Sequence, residues 1–167
     1  MEKREFLEKQ FNIIKKSSYL MTLQAETLRH CGSIIQKEIN FDNNKLKEKQ
    51  QNIDVKNILA KKTVYMLYGY AIEVLLKALL LRHKGTLFDD KNKFLYDTHN
   101  LIKLSEETGL IYSIDENRLL RSLTAYIEWM GKYTFPKKKD DMVIPGKDDM
   151  DINVFESLFS RLIIEAR

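Results

Sequence analysis

Residues 65–82 read YMLYGYAIEVLLKALLLR, an almost unbroken apolar run whose middle carries one acid and one base, Glu73 and Lys77, four residues apart. A run this long without strand punctuation reads as the central helix of a bundle, hydrophobic nearly all round because other helices cover it. A carboxylate and an ammonium one turn apart on such a helix form a pair, lie on an exposed stripe, or are in use. The span from Val64 to Leu81 also has about the minimum length for a bilayer, but two charges at its centre make insertion costly. The expectation is a buried core helix and no membrane.

Around that helix the chain reads as helical throughout. Upstream, Leu7, Phe11, Ile14, Ser18, Met21, Ala25, Leu28, Gly32, Ile35 and Ile39 fall on alternating steps of four and three, which is a heptad seam. Sustained to Ile39 it predicts one N-terminal helix on the order of 50 Å long, at about 1.5 Å per residue. Ser18, Ala25 and Gly32 are small seam positions at which another helix can approach closely. Residues 40–57 are polar, a mobile connection or a solvated helical extension. The second helix starts near Val55 or Ile58 and ends at His83, with Gly85 placed to stop it.

Downstream, Thr98 is positioned to cap a short helix bearing Leu101, Ile102 and Leu104 that ends near Gly109. Ser113 and Glu116 have capping-box spacing and open a helix with Leu119, Leu120, Leu123, Tyr126, Ile127 and Met130 inward. Gly131 closes it. Asn153 and Glu156 repeat the spacing before a last helix with Phe155, Leu158, Phe159, Leu162 and Ile163. The predicted fold is all-α: an antiparallel bundle of four to five helices with a long N-terminal helix, one domain over residues 1–167. At that size roughly 70% of the unfolded surface is buried without help from disulfides or metal.

The chain carries 28 Lys and Arg against 24 Asp and Glu, a net charge of +4 with a pI near 9.0. That balance permits nucleic-acid binding without demanding it. Cys31 is the only cysteine, which rules out an intrachain disulfide and a Cys-based zinc site within one chain. With no signal-peptide pattern at the start, a cytoplasmic location is expected. The three histidines show no metal-ligand spacing, and no phosphate loop or nucleophile elbow stands on the chain, so no cofactor is expected.

The residues that could carry chemistry are few. His99, in Tyr96-Asp97-Thr98-His99-Asn100-Leu101, falls at the expected first turn of a helix, where the dipole favours a neutral imidazole able to act as a base. The alternative is a structural His that fixes the preceding loop by hydrogen bonds. Glu73 and Lys77 form an intrahelical pair or mark a groove or subunit contact. Lys132, Tyr133, Lys137, Lys138 and Lys139 make a basic, aromatic-bearing loop able to touch phosphates and stack a base. Asp140 and Asp141 follow at once, and an ordinary solvated loop is the alternative. Tyr65, Tyr68 and Tyr70 spread around the second helix, so at least one is expected at a groove or interface. Trp129 is expected to pack the following loop against the core.

Three of these segments, Ala71-Ile-Glu-Val-Leu-Leu-Lys-Ala-Leu-Leu, Thr98-His-Asn-Leu-Ile-Lys-Leu and Trp129-Met-Gly-Lys-Tyr-Thr-Phe-Pro, together resemble the HEPN superfamily of small all-α domains. The resemblance covers residues 62–136. It implies a bacterial defence or toxin–antitoxin setting, where many members are metal-independent ribonucleases that join an Arg and a His four to six residues apart across a dimer. No arginine here precedes a His at that spacing; Arg29-His30 and Arg82-His83 are adjacent. The resemblance therefore implies a non-catalytic or divergent HEPN-like module, a homodimer, that binds RNA, a nucleotide or a partner protein encoded nearby. Two alternatives stand beside it. One is a metal-independent ribonuclease with His99 as general base and Arg82 or Lys77 stabilising the phosphorane charge. The other is a structural subunit of a larger complex.

Overall fold

The computed structural model describes residues 3–48, 55–130, 132 and 150–167. Among the described residues six α-helices follow one another: α1 (Lys3–Ile14), α2 (Ser18–Glu48), α3 (Val55–Lys84), α4 (Leu101–Thr108), α5 (Ile114–Ala125) and α6 (Ile152–Ala166). A π-helical turn, Tyr126–Met130, continues α5. Among the described residues there is no strand, only an isolated bridge between Phe88 and Phe94. The result is an all-α bundle around one contiguous core.

Helix α3 is its axis. Val64, Tyr68, Ala71, Ile72, Leu75, Leu76, Ala78, Leu79 and Leu80 are all buried, packed against α2, α4, α5 and α6. About two thirds of the apolar length that could cross a bilayer is thus buried by the protein's own helices. Gly85, at a φ of 74°, ends the helix in the left-handed region, which a residue without Cβ enters at no steric cost.

The N-terminal seam departs from the single long helix that its spacing predicts. The chain turns at Lys15 and Lys16, and the Ser17 hydroxyl accepts the N–H of Leu20 at 3.2 Å, capping a new helix. The repeat reads through Ser18 as a small seam residue, but the short side-chain oxygen of its neighbour Ser17 satisfies a free helix N–H and so favours a start there. From Met21 onward the seam faces α3 as expected: Ala25 and Ile39 are buried, and Gly32 lies against the Tyr68 ring. Leu7 and Phe11, ahead of the break, are exposed. Helix α1 is held at its far end, where Phe11 meets Phe88 edge-on at 6.2 Å and Lys15 reaches Asn92 Oδ1 at 3.4 Å. Residues 40–48 extend α2.

Two helix starts also shift. Helix α4 is capped by Asn100, whose side chain accepts the Lys103 N–H at 3.0 Å, and not by Thr98. Thr98 accepts the N–H of Asn100 instead. Its N1 residue, Leu101, donates to the Thr124 hydroxyl of α5 at 3.1 Å, so the choice of cap is made by a contact from elsewhere in the chain. Helix α6 is capped by Asp151, which accepts from Asn153 and Val154, while Glu156 pairs with Arg29 of α2 at 2.7 Å. Gly131, expected to close the helix before it, lies outside the described residues.

The Ser113–Glu116 capping box forms as read: Ser113 N–H donates to Glu116 Oε2 at 2.7 Å, and Glu116 N–H to Ser113 Oγ at 3.1 Å. Arg161 of α6 adds an ion pair to Glu116 Oε1 at 2.8 Å. Burial pushes the Glu116 carboxyl up, and the Ser113 N–H and Arg161 guanidinium outweigh it, leaving the group below its ordinary value of 4.5. A depressed carboxylate adds stability that is present above pH 4.5 and drains away as pH falls through the folded value. Glu116→Gln is therefore expected to cost about 1–2 kcal/mol at neutral pH. Urea melts from pH 7 to 3 check it: the variant's deficit must shrink as the pH drops below 4.5.

Candidate functional site

Tyr70, Glu73 and Lys77 occupy one stripe of α3 at spacings of three and four. The hairpin after α3 brings its own residues over that stripe. Asp89 Oδ1 accepts the N–H groups of Lys91 and Lys93 at 2.9 and 2.8 Å, closing a tight turn that places Phe94 beside Phe88. Lys77 Nζ then lies 5.2 Å from the Phe94 ring centroid, a cation–π geometry. The chain runs on through Tyr96 to His99, whose backbone is bracketed by the Thr98 turn and the Asn100 cap.

Glu73 joins these parts. Its Oε1 accepts from Lys77 Nζ at 2.7 Å and its Oε2 meets His99 Nδ1 at 2.9 Å. The Glu73 side chain is 8% exposed, that of His99 52%. A carboxylate paired with an ammonium is an acceptor only, so Nδ1 is the donor in this contact. The imidazole also stands edge-on to Tyr70, 6.1 Å between centroids. Lys132 Nζ lies 5.4 Å from the other partner in that contact, the Tyr70 ring.

The site is thus a buried carboxylate holding an imidazole, with an aromatic ring and a lysine alongside. Compared with known protein families, with characterised proteins and with solved structures, the chain matches none. What the corner does must be argued from its chemistry.

Of the residues expected to act together, Glu73, Lys77 and His99 meet. Arg82 does not join them: it is nine residues beyond Glu73 on α3, about 13 Å at 1.5 Å per residue, and donates to the backbone carbonyl of Glu165 at 3.1 Å. Its role is to hold the end of α6 against α3. His99 is not in the first turn of α4 but one residue before the cap, so the helix dipole is not the feature that sets it up; the Glu73 carboxylate is. Lys132 is at the site, whereas Tyr133, Lys137, Lys138 and Lys139 lie outside the described residues.

Sequence reasoning left Phe94 and the particular tyrosine unassigned. Tyr68 is buried against Phe155 and Tyr65 meets Tyr126, which leaves Tyr70 as the one turned to the site. Its position three residues before Glu73 was the available signal. Trp129 is half-buried within the π-helical turn, and that turn delivers the chain to Lys132. From Asn100 onward, on the α4–α5 side, a groove of about 430 Å³ opens between Ile102, Lys103, Glu106, Arg121 and Thr124. It presents two further cations, Lys103 and Arg121. Among the described residues no three His, Cys, Asp or Glu side chains cluster to hold a metal.

Proposed function

We propose that the protein is a cytoplasmic, HEPN-like antiparallel bundle that binds single-stranded RNA at the His99 corner, in a bacterial defence or toxin–antitoxin setting. The observation that carries this reading is the use made of Glu73. Both of its oxygens are engaged, and the Lys77 ammonium is spent on Glu73 and on the Phe94 ring, so Lys77 is not offered to a phosphate. The groups offered outward are the imidazole edge, the Tyr70 ring and Lys132. An aromatic face with a cation beside it is the pairing that takes a base and its phosphate without reading sequence. The setting comes from the resemblance of Ala71–Leu80, Thr98–Leu104 and Trp129–Pro136 to HEPN domains.

A fluorescent single-stranded RNA titrated with the protein in EDTA tests this. Tyr70→Leu is expected to weaken binding by about 1–3 kcal/mol through lost stacking, and Lys132→Ala to reduce the salt dependence by about one phosphate contact. Binding indifferent to both would overturn the assignment of the site.

One observation favours a second reading. The Nδ1–Glu73 hydrogen bond is how enzymes hold an imidazole whose Nε2 takes a proton, as a metal-independent ribonuclease would require for attack by a ribose 2′-hydroxyl. In that case end-labelled RNA is cut in EDTA, His99→Ala abolishes cutting, and Arg82→Ala leaves it unchanged because Arg82 is engaged with Glu165. Intact RNA at stoichiometric protein excludes it.

A further inference from the structure

Helix α1 is exposed along most of its length, from residue 5 to residue 13. Its C-terminal end meets the hairpin that follows α3, where three contacts converge. The Phe11 ring stands edge-on to Phe88 at 6.2 Å. Lys15 Nζ lies 5.3 Å from the Phe11 centroid and 5.8 Å from that of Phe88, and it donates to Asn92 Oδ1 at 3.4 Å. Asn92, at a φ of 62°, is the one described residue other than glycine in the left-handed region, a conformation that Asn tolerates in a tight turn. Lys15 thus grips the hairpin at its turn, and Phe11 grips it at a ring.

The same hairpin covers Lys77. Phe88 and Phe94 face each other across the isolated bridge, their rings 5.3 Å apart, and Phe94 in turn lies 5.2 Å from Lys77 Nζ. Of the two groups against that ammonium, Glu73 belongs to α3 and stays with it; Phe94 comes from outside and moves with the hairpin. A run of contacts therefore leads from Phe11 and Lys15 through Phe88 and Phe94 to Lys77, whose side chain is 12% exposed. Buried Leu87, whose carbonyl accepts the Leu95 N–H at 2.9 Å, fixes the foot of the hairpin, so what α1 governs is the position of the two rings. One edge-on ring contact and one exposed hydrogen bond hold little, which makes undocked α1 a minor but accessible state. With the Phe94 ring withdrawn, water reaches the Lys77–Glu73 pair; a solvated pair is weak, and the ammonium is free to take a phosphate. We propose that α1 is a latch on the His99 corner: docked, it holds Phe94 over Lys77; undocked, it uncovers Lys77 as a second cation, beside Lys132, for the phosphates of a bound strand. The use of Lys77 on phosphate rests on the RNA reading of the site, whereas its covering by the latch does not.

Acylation of the full chain by an N-hydroxysuccinimide ester, read lysine by lysine in peptide mass spectra, tests the latch without RNA. Lys77 should react several-fold faster in Phe11→Ala/Lys15→Ala than in the parent, while Lys37 and Lys103, exposed lysines outside α1 and the hairpin, react as before. Phe11 is 49% exposed, so the helical circular-dichroism spectrum should not change. Phe94→Ala, which removes the cover directly, should raise the Lys77 rate as far, and all three changes together no further, because they act through one ring. Single-stranded RNA titrated with Phe11→Ala/Lys15→Ala should then show a salt dependence steeper by about one phosphate contact. Unchanged labelling of Lys77, a rise shared by Lys37 and Lys103, or full additivity with Phe94→Ala would overturn the latch. Faster labelling with an unchanged salt slope would overturn its part in binding. A parent and a variant that both bind no RNA, with Lys77 labelled faster in the variant, would overturn the RNA reading and uphold the covering of Lys77.

Discussion

Glu73→Ala is expected to destabilise the fold by about 3–5 kcal/mol, because it strands a buried ammonium. Lys77 is only 12% exposed at its side chain and its one ion-pair partner among the described residues is Glu73. The remaining Phe94 contact attracts a cation but does not replace a carboxylate. Removing both charges is a different perturbation: Glu73→Leu/Lys77→Met leaves no buried ion and returns volume to an apolar helix, so it should recover most of the loss. The same double variant releases His99 from its anchor, so RNA binding should remain impaired although the fold has recovered. Urea unfolding of the two variants together with the RNA titration separates the two roles. A loss below about 1 kcal/mol in Glu73→Ala would mean that the pair behaves as an exposed one, and the ordered imidazole would lose its physical basis.

That pair also shows how far the sequence could be read. Two charges one turn apart on an otherwise apolar helix are visible in any listing of the chain. Their third partner is not, because His99 arrives through the loop after α3 and its approach depends on the turn that Asp89 closes. Arg82, the candidate stabiliser of phosphorane charge beside His99 in the ribonuclease alternative, instead donates to the Glu165 carbonyl at the end of α6. The core positions of α3, α5 and α6 were legible because helical periodicity repeats the same information every turn. Helix starts were less so. Ser17, Asn100 and Asp151 won over continuity at Ser17, over Thr98 and over Asn153. At α4 the winner is tied to Thr124, a residue on another helix, and capping chemistry alone does not rank Thr98 and Asn100.

The small residues of the N-terminal seam carry the other large effect. A Cβ at Gly32 would stand 2.6 Å from Tyr68 Cε1 and 2.9 Å from Cδ1, and the ring has little room to retreat because it stacks on Phe155 at 4.2 Å and 22°. Tyr68→Ala should cost about 3–5 kcal/mol, since a fully buried ring leaves a cavity among α2, α3 and α6. Gly32→Ala sets two opposed quantities against each other. It gains about 1 kcal/mol of helix propensity and forces an overlap in a packed core that costs about 1–3 kcal/mol, so a net loss is expected. Gly32→Ala/Tyr68→Ala then discriminates: with the rigid ring gone, the added methyl has room, and the double variant should be more stable than the sum of the single losses predicts. Thermal and urea unfolding of the four proteins measure this coupling. A Gly32→Ala variant more stable than the parent by the full propensity gain would mean that α2 and α3 are not in close approach at this point, and that the small seam residues serve some other end.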